Sequence, residues 1–329
     1  MKKSVISLYA VVVVALMIWG FYQAIYVAPN DAMQGEIFRI IYYHVPSFST
    51  SFTAFAVSLA GSIGFLAFRR THPERAQMAD ALALAGAEIG VVFCTVGLTT
   101  GPLWARRAWS IWWTWDARLT TTLVLWLIYV SYLLLRRFAA GPQMQTLAAV
   151  LGIFGAIDVP IVYMANRWWR TQHPAPVFGG SEGSGMDPTM TGALMWNMLA
   201  WFLWGILILL LRYHAERQNQ KVAEREAQEA LAGRTKEEPI EASAGKKTIF
   251  AVLALISAGL FVRVAYLVLA GPPDPALNTP NHDAIVAHLN HMFRQAAYAI
   301  TWAIQLGYLS WLGLKWRTEE PVGGTHASK

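Results

Sequence analysis

Two histidines lie in short segments at the edges of long apolar runs, where their side chains could bind a metal. His44 lies in residues 41–46, IYYHVP, and His173 ends residues 166–173, NRWWRTQH. Neutral imidazole is a good ligand for iron. Each histidine by itself would be an ordinary polar residue at a membrane surface. We expect Pro46 to begin the next helix, which would leave His44 in the loop before it.

A tryptophan-rich stretch lies between the two histidines in the chain. Of the 15 tryptophans, five fall within residues 104–115: Trp104, Trp109, Trp112, Trp113 and Trp115. Tryptophans of a membrane protein usually form a belt at the headgroup level, but a belt distributes them over many helix ends. A large, flat, apolar ligand explains the concentration better, because indole rings stack on such a surface and bury much area.

Charged residues in and beside this stretch add a second kind of contact. Arg106 and Arg107 suit carboxylate groups on the rim of a ligand, because guanidinium binds carboxylate through two hydrogen bonds. Asp116 is equally suited to cap the next helix. Arg118 could pair with Asp116 or face a ligand carboxylate. Haem requires axial nitrogens, flat apolar contacts and cations, so these residues together predict a haem site.

Long apolar segments must position these residues. The chain has 329 residues, of which 55% are hydrophobic and 14% are charged, whereas soluble domains carry about 25% charged residues. A membrane-spanning helix needs about 20 mostly apolar residues. The pattern predicts an all-α polytopic membrane protein with a six-helix core and two further helices. The predicted spans are 5–27, 47–68, 79–99, 119–138, 144–164, 191–212, 248–270 and 292–316.

The basic residues predict the orientation of the spans. Most of the 26 lysines and arginines fall at the ends of alternate spans or in the loop between the sixth and the seventh. Because basic loops stay in the cytoplasm, both termini are expected to be cytoplasmic. The loops that carry His44, the tryptophan-rich stretch and His173 then share the outer face. A buried redox cytochrome would carry its haem ligands within the helices. Ligands in loops instead favour a site that binds haem and releases it.

Composition argues against two other classes of protein. The net charge of +6 does not indicate nucleic-acid binding, because the basic residues concentrate at helix ends and in one loop. Cys94 is the single cysteine of the chain. The chain therefore has no Cys-x-x-Cys-His motif for covalent haem attachment and is not itself a c-type cytochrome.

Three stretches of the chain resemble one family. The stretch WWTWDARLT, residues 112–120, is similar to the tryptophan-rich WWD signature of cytochrome c assembly membrane proteins. The stretches IFRIIYYHVP and DVPIVYMANRWWRTQHP, residues 37–46 and 158–174, resemble the family's segments before helix 2 and after helix 5. The short six-helix core, 1–212, is most similar to protein C of the system I cytochrome c maturation pathway.

The resemblance implies a function. Such proteins are not enzymes; they bind haem b as cargo on the outer face of the bacterial inner membrane, with axial histidines at the positions of His44 and His173 and a platform of the tryptophans and Asp116. They present haem to a periplasmic chaperone, protein E, together with ABC transporter proteins A and B and a small single-helix protein D. The alternative is a transporter that moves haem across the membrane. That alternative requires polar groups along a path, for which Glu88 is the mid-span candidate.

The chain departs from this family after residue 212. Residues 213–247 predict a short solvated helix followed by a cytoplasmic linker, and 248–329 predict a two-helix extension. The last helix weakly resembles the helix of protein D, which gives the hypothesis that the extension supplies the function of protein D. Three histidines precede this last helix: His282, His288 and His291. They could form a metal or accessory haem site, or they could be solvated polar residues at an interface.

Overall fold

The fold, known from a computed structural model, is described for residues 3–139, 141, 143–174, 186–232, 244–269 and 281–315. These residues form eight α-helices, α1 to α8: Lys3–Tyr22, Ile41–Phe68, Pro73–Ala108, Ala117–Phe138, Met144–Trp168, Pro188–Leu231, Ala244–Leu269 and His282–Lys315. A π-helical turn, Gln23–Val27, extends α1. A 3-10 turn, Glu36–Ile40, leads directly into α2.

The expected class, an all-α polytopic membrane protein, is confirmed. Of the described helices, the seven from α1 to α7 are long and apolar enough to cross a membrane. The eighth predicted span, 292–316, corresponds to α8, which does not meet this criterion. The reason is that α8 carries polar residues buried against other helices, among them Arg294, Thr301 and Gln305. The side of the membrane that each end faces stays a prediction.

The antiparallel pair α2 and α3 occupies the centre of the fold, and α3 is the most buried of the candidate spans. Gly86 of α3 lies against the backbone of α2, because a Cβ there would be 2.6 Å from both the Ala54 carbonyl oxygen and the Ser58 nitrogen. Side chains cannot separate two backbones at such a contact. The pair therefore holds the end of α3 close to the start of α2, where Thr100 lies beside His44.

Buried ion pairs join the helices. Arg212 of α6 donates from Nε and Nη2 to Oε2 and Oε1 of Glu88 in α3, at 2.6 and 2.8 Å, and Tyr308 of α8 donates to Oε2 at 3.1 Å. Asp80 of α3 accepts two hydrogen bonds from Arg136 of α4. A buried charge is tolerated when it is paired and hydrogen bonded. The pairing gives Glu88 a structural role and removes the observation that favoured a transport path.

The last helix, α8, packs along α3 and the turn Glu36–Ile40 and reaches α6 through side chains, instead of lying apart from the six-helix core. Trp204 of α6 donates from Nε1 to Oε1 of Gln305 at 3.0 Å. The rings of Tyr43 and Tyr298 have centroids 4.5 Å apart. α7 packs chiefly against α8. The two-helix extension is therefore joined to the core by buried polar and aromatic contacts.

The start of α2 differs from the prediction. The helix begins at Ile41 instead of residue 47, so His44 lies in its first turn and the expectation that this histidine belongs to a loop is wrong. Pro46 lies inside the helix instead of opening it. The 3-10 turn Glu36–Ile40 is the physical reason, because it supplies a helical start before the proline.

The end of α3 also differs from the prediction. The predicted span ended at residue 99, but α3 continues to Ala108 although it contains Gly101 and Pro102. Packing overrides the local signal, because Leu103 and Ala105 of the added turns are buried. The predicted outer loop, 100–118, therefore shortens to 109–116, and the first part of the tryptophan-rich stretch is helical.

Two further boundaries concern the second half of the chain. α6 extends to Leu231, as expected for a solvated helix after residue 212. The rest of the predicted linker, 233–243, lies outside the described residues. α8 begins at His282, ten residues before the predicted start at 292, so the three histidines of this region are helical.

Candidate functional site

Both candidate histidines line one cavity that is partly open to solvent. Its walls come from α2, α3, the start of α4 and the segment after α5. The lining residues singled out by the sequence are His44, Trp104, Trp109, Trp113, Arg118 and His173. Residues far apart in the chain thus meet at one site, as the sequence predicted.

The hydrogen bond of His44 fixes which ring nitrogen is free. His44 Nδ1 lies 3.0 Å from the Thr100 hydroxyl oxygen, and that hydroxyl donates to the Val96 carbonyl at 2.8 Å. A hydroxyl has one proton, and when that proton is donated to the Val96 carbonyl, the Thr100 oxygen is the acceptor for Nδ1–H of His44. The Nε2 lone pair of His44 then remains for a ligand.

The ring of His173 has the same tautomer for a different reason. Its Nδ1 lies 3.0 Å from the Pro174 carbonyl oxygen, which can only accept, so Nδ1 carries the proton and Nε2 carries the lone pair. The backbone N–H of His173 donates to the Thr171 hydroxyl at 2.8 Å. Burial, with the nearby charge of Arg118, lowers the pKa of His173 to about 4. The imidazole is therefore neutral, as iron binding requires, at every physiological pH.

Aromatic rings form much of the cavity wall. Trp104 and Trp109 make an edge-to-face pair with centroids 4.7 Å apart, and Phe48 contacts the His44 ring at 5.0 Å. Trp113 also lines the cavity, and its Nε1 is buried with no hydrogen-bond partner among the described residues. A buried indole N–H normally has a partner. An acceptor on a bound molecule would provide one.

Trp112 and Trp115 lie beside the cavity without lining it. The Trp112 ring packs on Phe293 of α8 with centroids 5.8 Å apart. Trp115 is 77% exposed and contacts Trp113 edge-to-face at 5.8 Å. The tryptophan-rich stretch therefore divides into a wall and an exposed outer surface.

The arginines separate in a similar way. Arg118 lines the cavity and donates to Oδ1 of Asn166 at 2.9 Å. Arg106 donates to the Ser110 carbonyl, and Arg107 donates to Oδ1 of Asn290 in α8. Of the three propionate candidates, the structure places Arg118 at the cavity, whereas Arg106 and Arg107 do not line it.

Asp116 has the capping position expected for it. Its Oδ1 accepts from the backbone N–H of Leu119 at 2.9 Å at the start of α4. Arg118 and Leu119 both line the cavity. The cap therefore helps to position one cavity wall, and the predicted contact of Asp116 with haem stays a prediction.

Two positioning residues were not predicted from the sequence. One is Thr100, whose hydroxyl contacts His44. The other is Asn166, which accepts from Arg118 and donates from Nδ2 to the Pro174 carbonyl at 2.9 Å. That carbonyl also accepts from His173, so Asn166 holds the histidine segment against α5. Its place at the head of the segment NRWWRTQH was the available signal.

The other histidines make different contacts. His291 Nδ1 lies 3.1 Å from Oε2 of Glu36, and its Nε2 lies 2.7 Å from the side-chain nitrogen of Gln295. His288 is exposed, and His282 begins α8. No cluster of three or more His, Cys, Asp or Glu side chains suited to a metal occurs among the described residues. The interface interpretation therefore accounts for His291, which links α8 to the turn before α2.

Known proteins with similar sequences share this region of the chain. Residues 1–229 match the family model described as CcmC, heme exporter protein C. The chain is 38% identical over 196 residues to heme exporter protein C of Bradyrhizobium diazoefficiens, covering 58% of this chain and 72% of the relative. It is 34% identical over 197 residues to heme exporter protein C of Escherichia coli K12, covering 59% and 75%. The family match ends before α7 and α8. The chain therefore belongs to the heme exporter protein C family and has a role in haem handling for cytochrome c biogenesis.

Proposed function

We propose that the chain binds haem b as cargo in the cavity between α2, α3, α4 and the segment after α5. His44 and His173 serve as the two axial ligands. The observation that carries the proposal is that both imidazoles line one cavity, each with its Nδ1 within hydrogen-bond distance of an oxygen that can accept from it. Haem iron accepts two axial nitrogens of this kind.

The remaining cavity residues suit the other parts of haem. Trp104, Trp109 and Trp113 supply flat apolar contact. Arg118 supplies a cation for a propionate, and the free indole N–H of Trp113 supplies a second donor. The chain's own contribution is to hold the cargo, to exclude water from its faces and to fix the orientation of both imidazoles.

We further propose that the protein presents this haem on the periplasmic side of the inner membrane to a chaperone of the protein E type. The other proposed partners are ABC transporter subunits of the protein A and B types. The extension, α7 and α8, would do the work of a protein D. What supports this last step is that α8 packs beside Trp112 and Arg107, next to the proposed site.

An absorption titration of the purified protein tests haem binding. The wild-type protein should give a low-spin spectrum typical of two imidazole ligands. The variants His44→Ala and His173→Ala, alone and together, should lose retention or change spin state. His288→Ala, an exposed histidine of α8, is the matched control and should behave as the wild type. Normal haem retention in the double variant would refute the ligand assignment.

A loading assay tests presentation. Membranes of cells that lack a separate protein D should still load the chaperone when they contain this chain. Tryptophan positions must also face the periplasm. A cysteine placed at Trp115, which is 77% exposed, should react with an impermeant thiol reagent from outside. Labelling only from the cytoplasmic side would refute the proposed orientation.

A further inference from the structure

One buried hydroxyl group touches the proposed site without lining the cavity. The side chain of Thr100 is fully buried in α3, and its oxygen lies between His44 Nδ1 and the carbonyl of Val96, four residues earlier in the same helix. Neighbouring Thr99 also donates to carbonyls of its own helix, but no ligand candidate contacts it. The two threonines thus differ in whether they reach an imidazole.

We propose that Thr100 is the positioning residue that fixes the tautomer and the ring rotation of His44. The proposal rests on the proposed function, in which His44 is an axial ligand. Thr100 does not contact the cargo; it acts through the imidazole. This role requires the Thr100 hydroxyl to accept a hydrogen bond from the His44 ring and to donate one to a carbonyl of α3.

The direction of the hydrogen bonds follows from proton counting. His44 donates from Nδ1–H to Thr100 Oγ1, and Thr100 donates from its hydroxyl to the Val96 carbonyl. If the ring proton moved to Nε2, the hydroxyl would have to leave the carbonyl in order to donate to Nδ1. The proton would also then occupy the nitrogen that faces the cavity. With the ring proton on Nδ1, the Thr100 hydroxyl and the His44 Nδ1–H each have a hydrogen-bond partner, and Nε2 has a free lone pair.

Packing removes the other freedom of the ring. Gly101 follows Thr100, and a Cβ there would lie 3.2 Å from Cε1 of His44, so only glycine allows the ring to approach α3 this closely without a shift. Phe48, one turn along α2, contacts the His44 ring edge-to-face, with the two centroids 5.0 Å apart. The ring therefore fits between two surfaces, and the hydroxyl determines which way it is turned.

The contrast with His173 shows why a side-chain acceptor matters here. The acceptor for His173 is a backbone carbonyl, which any residue would provide. The acceptor for His44 exists only if residue 100 carries a hydroxyl. That hydroxyl belongs to α3, the helix that packs against α2. Of the two ligand candidates, His44 is therefore the one that a single conservative substitution can disturb.

Three variants test the proposal on the full-length protein. Thr100→Val keeps the shape but removes the acceptor, Thr100→Ser keeps the hydroxyl, and Thr99→Val is the matched control. Loss of a partner behind a metal-binding histidine lowers affinity about 10- to 100-fold, so Thr100→Val should weaken haem binding by about tenfold. The haem midpoint potential should also shift to a more positive value, because an imidazole without an acceptor is a weaker donor. Thr100→Ser and Thr99→Val should match the wild type.

A second measurement uses the protein without haem. Nitrogen chemical shifts of ¹⁵N-labelled histidine distinguish the two tautomers, and His44→Ala identifies the signals. We expect a protonated Nδ1 for His44 in the wild type and in Thr100→Ser, and a mixture of tautomers in Thr100→Val. Unchanged shifts, affinity and potential in Thr100→Val would overturn the proposal. Normal haem retention in His44→Ala would instead overturn the proposed function, and the haem-free spectra would still decide the role of Thr100.

Discussion

The two imidazoles of the cavity are held by different parts of the molecule. His44 lies in the first turn of α2, and its hydrogen-bond acceptor belongs to α3, the helix against which α2 packs most closely. His173 lies in the segment after α5, and its partners, Thr171 and Pro174, belong to the same segment. One ligand candidate is thus fixed between two packed helices, whereas the other is fixed locally.

This difference suits a site that must both hold cargo and release it. A side chain between packed helices moves only with the core, whereas a short segment with local hydrogen bonds can open at little cost. Asn166 is the connection between that segment and α5, through the Pro174 carbonyl. We therefore expect His44 to determine how tightly haem is held and His173 to determine how fast it leaves.

The largest effect should come from removing the fixed ligand. His44→Ala should lower haem affinity by more than about 100-fold, the upper range for a residue that only supports a ligand. His173→Ala should lower it less. Added imidazole should restore the low-spin spectrum of His173→Ala at lower concentration, because the segment leaves room for it. If the two variants lost the same haem affinity and were rescued by the same imidazole concentration, His44 and His173 would not differ in how firmly they are held.

A smaller effect should follow from loosening the segment. Asn166→Ala removes the donor to the Pro174 carbonyl and the acceptor for Arg118. We expect haem to transfer to excess apomyoglobin about fivefold faster, since the loss of a hydrogen bond of about 1 kcal/mol lowers the barrier by this amount. The spectrum of the bound form should be unchanged. Gln172→Ala, an exposed neighbour, is the control, and an equal rate in both variants would contradict the role of Asn166.

The tryptophans should separate into two groups. Trp113→Ala should weaken haem binding at least about fivefold, since an aromatic contact contributes about 1 kcal/mol beyond its buried area. Trp113→Phe, which keeps a ring but loses the unpartnered N–H, should have a smaller effect. Trp112→Ala should change haem affinity less and lower thermal stability instead, because Trp112 packs on Phe293. This division would be refuted if Trp112→Ala lowered haem affinity more than Trp113→Ala, and Trp113→Ala lowered the melting temperature more than Trp112→Ala.

The smallest effect should be a change in pH dependence. The pKa of His173 is lowered to about 4 in the fold, from about 6.5 in an open segment. Between these values the open segment binds a proton that the closed segment does not, so closure weakens as the pH falls through this window. Preloaded protein should keep its spectrum at pH 6 and lose it near pH 4. Asn166→Ala should move that midpoint upward, and an unchanged midpoint would argue against the coupling.

The sequence predicted the elements and the composition of the cavity because both depend on local signals. Apolar runs predicted the six core helices to within a few residues at most ends, and the unusual concentration of tryptophan predicted a flat ligand. His44 and His173 were recognised from their place in aromatic segments. All of these features can be read without knowing which helices touch.

The features that the sequence did not predict depend on helix packing. Thr100 is an ordinary residue of an apolar helix until the register of α2 against α3 places it beside His44. The choice of Arg118 over Arg106 and Arg107 depends on two further turns of α3 that buried residues stabilise. The sequence predicted α8 only as a membrane span, and it did not predict that polar residues of this helix bond to the core, as Gln305 does to Trp204.

The close contact at Gly86 has a consequence for the haem spectrum. Gly86 lies fourteen residues before Thr100, about 21 Å along the same helix. A methyl group there would push α3 away from α2, and a straight helix carries such a tilt to its end. The bond between Thr100 and His44 would lengthen although nothing near the iron had changed. The absorption spectrum of bound haem would thus report on the distance between the backbones of α2 and α3 at Gly86.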